Sequence, residues 1–163
     1  MYDQNKAHYI VATAVILKDN KYLIAKRAAH EKVSPNEWTV PGGKLNLSDY
    51  SNKPKDTSVH WYNIFEDLVK REVEEEVSLK IKNLKYLTSL SYIRPDGIPT
   101  LIASFYADYD SGEVKLCKDL TEYAWVNLEE AKNYKLIEGI YEELEMLDKV
   151  LKGNKETEWK KNN

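Results

Sequence analysis

Between positions 71 and 76 the chain reads Arg-Glu-Val-Glu-Glu-Glu. On a helix Glu72 stands three residues from Glu75 and four from Glu76, so these three carboxylates share one face while Glu74 points elsewhere. Each like-charge pair at i,i+4 costs an exposed helix roughly 0.2–0.5 kcal/mol. A hard divalent cation offsets that cost, because Mg2+ prefers carboxylate oxygens and water and shares its shell with substrate phosphates. Arg71, next to the cluster, can pair with one carboxylate and fix its rotamer. A charge run alone most often marks a solvated face, so the surrounding sequence has to decide. Upstream lies Trp38-Thr39-Val40-Pro41-Gly42-Gly43-Lys44-Leu45. Its two glycines let backbone approach a ligand closely and expose carbonyls.

The elements that must position these residues follow from periodicity. Residues 8–17 are β-branched and apolar, Lys18-Asp19-Asn20-Lys21 is a turn signal, and Tyr22-Leu23-Ile24-Ala25 resumes a strand, which predicts a hairpin with Lys26 and Arg27 at its exit. Residues 28–37 read as a loop, and Trp38-Thr39-Val40 as a short strand stopped by Pro41-Gly42-Gly43. Residues 46–61 are polar and turn-rich, an exposed insertion of functional or mobile type. From Tyr62 to Val77 the apolar residues recur in steps of three and four, predicting a helix. Strands follow at 84–93 and 99–108 around Arg94-Pro95-Asp96-Gly97, and again at 123–126. Leu128 opens a short helix, and a long one runs from about Leu136 to Leu151. This order implies an α/β (α+β) layer architecture, helices covering a mixed sheet.

Composition narrows the function classes. The chain has 163 residues, with 24 Lys+Arg against 27 Asp+Glu and a net charge of −3, which argues against a broad basic face for duplex nucleic acid. Its single cysteine, Cys117, excludes an intrachain disulfide framework and a multi-Cys zinc site. No stretch approaches the ~18 apolar residues of a transmembrane helix, and Met1–Lys6 lacks an apolar signal region. The expectation is one soluble, cytoplasmic domain over residues 1–152 with a flexible tail over 153–163.

Taken together, the two motifs resemble the Nudix hydrolase family, whose signature is G-x5-E-x7-R-E-U-x-E-E-x-G-U with U a bulky aliphatic residue. Residues 71–79 match its second half except that Ser78 stands where the family has Gly, and Trp38, Pro41, Gly42 and Gly43 match the W-x-x-P-G-G run that often precedes it. The opening hairpin and the 121–131 segment look like the family's as well, so the resemblance covers roughly residues 8–150. The first half of the signature is stretched. Counting back eight from Arg71 gives Asn63, Glu66 lies at the wrong offset, and the family's first Glu stays unassigned.

The resemblance implies a Nudix-like α/β/α sandwich and Mg2+- or Mn2+-dependent hydrolysis of a nucleoside diphosphate linked to another group. It makes Glu72, Glu75 and Glu76 metal ligands, with the Gly42 carbonyl a further candidate. Arg71 becomes the orienting partner, and Glu75 and Glu76 with it the catalytic set. Such enzymes take a general base from the signature helix or a downstream loop, for which Glu122, near Asp119, is the candidate. Arg27, Trp38, Gly43, Lys44, Tyr92 and Arg94 are candidates for phosphate or base contacts. Pro95 stands sixteen positions after Leu79, where the family's ADP-ribose enzymes carry a proline; it is equally an ordinary turn residue. ADP-ribose-type nucleotides and nucleoside triphosphates are the two substrate classes expected, with a homodimer as the expected assembly. A catalytically weak nucleotide-sensing or protein-binding module is the alternative. His8, His30 and His60 show no ligand spacing. The insertion should lie beside the catalytic helix, as a gate or a dimer contact.

Overall fold

The computed structural model describes residues 1, 3–154 and 158–161. The expected tail therefore falls partly on residues 155–157 and 162–163, which lie outside the described residues. The strands are β1 (Tyr9–Lys18), β2 (Lys21–Arg27), β3 (Trp38–Thr39), β4 (Gly42–Lys44), β5 (Lys80–Ile93), β6 (Pro99–Ser111) and β7 (Leu120–Val126). The α-helices are α1 (Ser48–Ser51), α2 (Ile64–Val77), α3 (Leu128–Ala131) and α4 (Ile140–Leu151).

Among the described residues the strands form one seven-stranded mixed sheet. β1 and β6 run parallel from Tyr9↔Thr100 to Leu17↔Asp108, and β5 and β6 form a long antiparallel hairpin. β1 and β2 pair only at Leu17↔Tyr22 and Lys18↔Lys21. Beyond those pairs they part, β4 taking the vacated edge of β1 and β3 that of β2. The strand pair β3–β4 thus bridges a split in the sheet, held there by the Ala14 N–H donating to the Pro41 carbonyl at 2.9 Å. β3 does stop short of Pro41, but Gly42 and Gly43 belong to the next strand, β4, rather than to a turn.

Side chains alternate across the sheet, as period-2 strands require. Ala12, Ala14, Ile16, Leu23 and Ala25 face Leu68, Val69, Val73 and Val77 of α2. Val15, Tyr22 and Ile24 face the other way, against Ile140, Leu144 and Leu147 of α4. The result is the expected α/β/α sandwich. Each buried Val or Leu contributes about 1.5–3 kcal/mol, so the four-residue stripe of α2 outweighs the repulsion among its carboxylates.

Several boundaries move from their sequence positions: α2 begins at Ile64, β5 at Lys80 and β7 at Leu120, and β6 runs on to Ser111. The last long helix starts at Ile140, not Leu136, because Gly139 at φ 95° breaks the helical path. Leu136 instead bridges Trp38, and the Ile137 N–H donates to the Trp38 carbonyl at 2.9 Å. The 46–61 insertion carries a turn of helix, α1. No helix among the described residues is long and apolar enough to cross a membrane.

Candidate functional site

The site forms where α2 runs beneath β4. Glu76 reaches Gly42, whose N–H donates to Glu76 Oε2 at 3.0 Å. Gly42 stands opposite Thr13, and its N–H points away from β1. In an antiparallel strand the carbonyl of the same residue points the same way, so the Gly42 carbonyl opens on the side where its N–H meets Glu76. Glu72 lies against Gly43: a Cβ on Gly43 would land on the Glu72 carboxylate, and one on Gly42 would strike the Ala12 carbonyl and Thr13. The two glycines therefore do separate work, one giving way to a neighbouring strand and the other to the Glu72 carboxylate.

Arg71 organises the rest. Its guanidinium meets Glu72 Oε1 and Glu75 Oε2, each at 2.8 Å. Its Nη2 also donates to Asp49 Oδ2 at 3.3 Å. Glu72 is mostly covered, with 13 % of its side chain exposed, whereas Glu75 is 59 % exposed. Glu74 is exposed and makes no ion pair among the described residues, consistent with its different helical phase.

Burial makes these charges costly. It pushes Glu76 up to about 7; Glu72 and Asp119 add to the rise, against the Gly42 N–H and Arg27. Burial also raises Glu72, with Glu75 and Asp49 adding to the rise and Arg71 opposing it. A divalent cation is the natural counter-charge for such a set. The carboxylates of Glu72, Glu75 and Glu76 and the Gly42 carbonyl are all hard oxygen donors, so their chemistry fits Mg2+ or Mn2+.

Asp49 was not singled out in the sequence, although the signal is present. Counting from Gly43 forward gives five residues and then Asp49. The signature's first acidic position is thus occupied by Asp, and the extra residues lie after it rather than before it. The insertion does lie beside α2: Lys53 pairs with Asp67 at 2.9 Å, and the Trp61 indole donates to the Lys53 carbonyl at 2.9 Å. Ser78 occupies the αL cap of α2 at φ 59°, the backbone conformation for which the family's glycine is suited.

The other expected contacts disperse. Trp38 is buried, its ring edge-on to Tyr134 at 4.7 Å. Arg27 carries electrostatic influence to Glu76, but its guanidinium is committed to Glu31 and the Val33 carbonyl, bracing the 28–37 loop. Lys44 pairs with Val11 while Gly43 pairs with Ala12, so its side chain stands on the opposite face of the sheet from Glu72. There Lys44 and Arg94 both lie over the Tyr9 ring, at 5.5 and 5.4 Å. Tyr9 and Tyr92 flank Thr100 on adjacent strands, and Arg94 is locked to Asp96. Glu122 pairs with Lys26 at 2.7 Å. Asp119 acts electrostatically on Glu76, and His30 Nε2 contacts its Oδ1 at 2.9 Å. The ligand atoms of His30, Glu31 and Asp119 fall within 4.8 Å of one another, a grouping that sequence spacing did not reveal.

The chain is similar to known proteins. A family model described as NUDIX domain matches residues 8–147. Over 111 residues the chain is 44% identical to the NAD-capped RNA hydrolase NudC of Shigella dysenteriae serotype 1, covering 68% of this chain and 35% of that one. The chain matches about a third or less of the length of such relatives. Among solved structures, the MutT NUDIX hydrolase from Burkholderia pseudomallei aligns with a TM-score of 0.70 at 21% identity, covering 87% of this chain and 99% of that one. The NUDIX domain of Shewanella oneidensis NrtR, complexed with ADP ribose, aligns with a TM-score of 0.69 at 17% identity, covering 92% and 94%. At these identities the structural likeness is one of fold.

Proposed function

The chain belongs to the Nudix family, and from that premise we propose that it is a Mg2+- or Mn2+-dependent hydrolase cleaving the pyrophosphate bond of a nucleoside diphosphate derivative. The observation that carries this reading is the placement of Glu72 and Glu76 against Gly43 and Gly42, with Arg71 holding Glu72 and Glu75. Two carboxylates meet the β4 backbone, and the third, Glu75, is joined to Glu72 through the Arg71 guanidinium.

Glu72, Glu75, Glu76 and the Gly42 carbonyl would hold the metal, which supplies charge neutralisation for the phosphates and acidifies a water for attack. The residues of the chain do the positioning. Arg71 fixes the rotamers of Glu72 and Glu75 through charge-assisted hydrogen bonds. The Gly42 N–H occupies one oxygen of Glu76 and leaves Oε1 for the site. Asp119, in the loop before β7, is better placed than Glu122 to take a proton near Glu76, because Asp119 acts electrostatically on Glu76 while Glu122 pairs with Lys26; the His30 ring holds Asp119 there.

An adenosine diphosphate derivative such as ADP-ribose is favoured over a triphosphate. The NudC relative acts on NAD-capped RNA and the NrtR domain is complexed with ADP ribose, and both ligands contain an ADP unit. Pro95 at the β5–β6 hairpin tip agrees with that class. The Asp49–Arg71 pair argues against a binding-only module, since the signature's supporting acidic residue is in place.

The test is product release from a nucleotide panel containing ADP-ribose, NADH and nucleoside triphosphates, with Mg2+ and with chelator. Turnover that is unchanged in Glu75→Gln and Glu76→Gln, or absent for every substrate, overturns the proposal.

A further inference from the structure

The insertion does more than tie down Arg71. Between it and α2 runs a groove of about 470 Å3, lined by Lys53, Asp67, Lys70, Arg71, Glu74 and Glu75. Its volume falls within the range of small-molecule sites. Lys53 and Asp67 are also shared with a second cleft, of about 150 Å3, at the N-terminal end of α2, where Pro54, Trp61 and Tyr62 contribute walls. The two clefts adjoin at the Lys53–Asp67 ion pair, which bridges the channel they line along α2; it starts beside Ile64 and ends at Glu75, a span of about 17 Å of helix.

Most polar and aromatic groups of the insertion are used to fold it. The Trp61 ring packs on Tyr50 at 5.3 Å while its indole N–H is taken by the Lys53 carbonyl. Asp56 accepts from the Tyr62 backbone N–H at 2.9 Å. Two groups that face the channel from beside the insertion are left over, Tyr62 in the link to α2 and Lys70 on α2 itself. The Tyr62 ring is 61 % exposed and has only an edge contact with His60, at 6.4 Å. Lys70 makes no ion pair among the described residues, although Glu66 and Glu74 stand one helical turn away on either side. An exposed aromatic face and an uncommitted ammonium, set in line with a carboxylate cluster, match the order of groups in a nucleotide: base, then phosphates, then the bond to be cut.

We propose that the insertion builds the nucleoside end of the substrate site: the base stacks on Tyr62 in the Pro54–Trp61 cleft and the 5′-diphosphate runs past Lys53 and Lys70 to Glu75. This rests on the hydrolase reading above and adds which face of α2 the substrate lies on. The Tyr9–Lys44–Arg94 cluster on the opposite face of the sheet is then outside the nucleoside site.

Steady-state kinetics on ADP-ribose test the proposal, with Tyr62→Ala, Lys70→Ala and Lys70→Arg. Each alanine variant should raise KM roughly tenfold while kcat holds, the size of one lost base stack or charged hydrogen bond, and Lys70→Arg should restore KM. An unchanged KM in both alanine variants overturns it. A second arm does not need turnover. AMP titrated in EDTA should quench tryptophan fluorescence in the native protein but not in Trp61→Phe, and should bind more weakly to Tyr62→Ala. Quenching with no hydrolysis of any nucleotide would leave this site standing and remove the hydrolase reading. AMP that inhibits turnover without touching Trp61 fluorescence would place the nucleoside elsewhere and remove this proposal.

Discussion

Asp49 and Arg71 stand 22 positions apart in the chain, yet Arg71 Nη2 donates to Asp49 Oδ2 at 3.3 Å. The contact closes the insertion at its base and completes a set of three carboxylates around one guanidinium. Asp49 is itself fixed, accepting from the Asn46 N–H at 2.8 Å. Arg71 orients Glu72 and Glu75, so loosening it should reach the metal. Asp49→Ala should weaken Mg2+ affinity and turnover by about 10–100-fold, the usual cost of removing an outer partner of a ligand. Asp49→Glu should recover part of that. The measurement is the Mg2+ dependence of kcat/KM; an alanine variant with native Mg2+ dependence would refute the orienting role.

The adjacent glycines should fail differently. At Gly42 an added Cβ meets backbone, the Ala12 carbonyl and Thr13 Cα, and neither can yield without parting β4 from β1. Gly42→Ala should therefore lower the melting temperature. At Gly43 the obstacle is the end of the Glu72 side chain, which can swing aside. Gly43→Ala should keep a near-native melting temperature and lose activity by about two orders of magnitude, as expected when a catalytic group is displaced by about an ångström. Thermal melts and assays of both variants separate the two effects.

Why one half of the site was readable and the other was not has a physical basis. Glu72, Glu75 and Glu76 lie within two helical turns, and helix periodicity alone puts them on one face. Val73 and Val77 anchor the other face in the core, also as their spacing requires. Pro-Gly-Gly is a turn signal by local propensity, whereas the strand conformation of Gly42 and Gly43 comes from pairing with β1, some thirty residues earlier. Leu136 was drawn into α4 by its apolar spacing, which cannot register that Gly139 takes φ 95°. Trp38 matches the family run, but Tyr134 and α4 bury it from far along the chain. The encounters of Asp49 with Arg71 and His30 with Asp119 are likewise long-range. Only the first left a trace in spacing, visible when the signature is counted from Gly43 rather than back from Arg71.

Ser78 tests the one residue of the signature's second half that differs. It caps α2 at φ 59°, its N–H donating to the Glu74 carbonyl and its hydroxyl to the Lys115 carbonyl at 3.1 Å. Left-handed backbone costs a non-glycine residue about 1–2 kcal/mol, and the exposed hydroxyl bond recovers only about 0.5–1.5 kcal/mol of that. Ser78→Gly should be neutral to slightly stabilising, whereas Ser78→Ala keeps the backbone cost, loses the bond, and should be destabilised by about 1 kcal/mol. Urea denaturation of the pair checks the order; an alanine variant as stable as the glycine variant would show that the cap conformation carries no cost.

Glu143 offers a pH prediction remote from the α2 carboxylates. It is buried on the α4 face, where Ser104 Oγ donates to its Oε1 at 2.9 Å and Thr13 Oγ1 donates to Ser104 Oγ at 3.2 Å. Its Oε2 has no hydrogen-bond partner among the described residues. Burial pushes its pKa from 4.5 up to about 7, with Glu142 adding to the rise and the Ser104 hydroxyl opposing it. A carboxyl raised in the folded state favours folding when protonated. Its contribution is therefore complete below pH 4.5, declines as pH rises towards 7, and is gone above that, a change of about 3 kcal/mol by linkage. Glu143→Gln keeps an acceptor for Ser104 and removes the titration. In EDTA the variant should match the native protein near pH 5 and exceed it by up to about 3 kcal/mol at pH 8. Glu76 adds a decline of the same sign in the metal-free protein. Mg2+ should abolish that share at pH 8 and leave the Glu143 share in place, because the two carboxyls lie on opposite faces of the sheet. Denaturation at a series of pH values, with chelator and with Mg2+, resolves both. A Glu143→Gln variant no more stable than the native protein at pH 8 would mean that Glu143 is solvated or paired in solution.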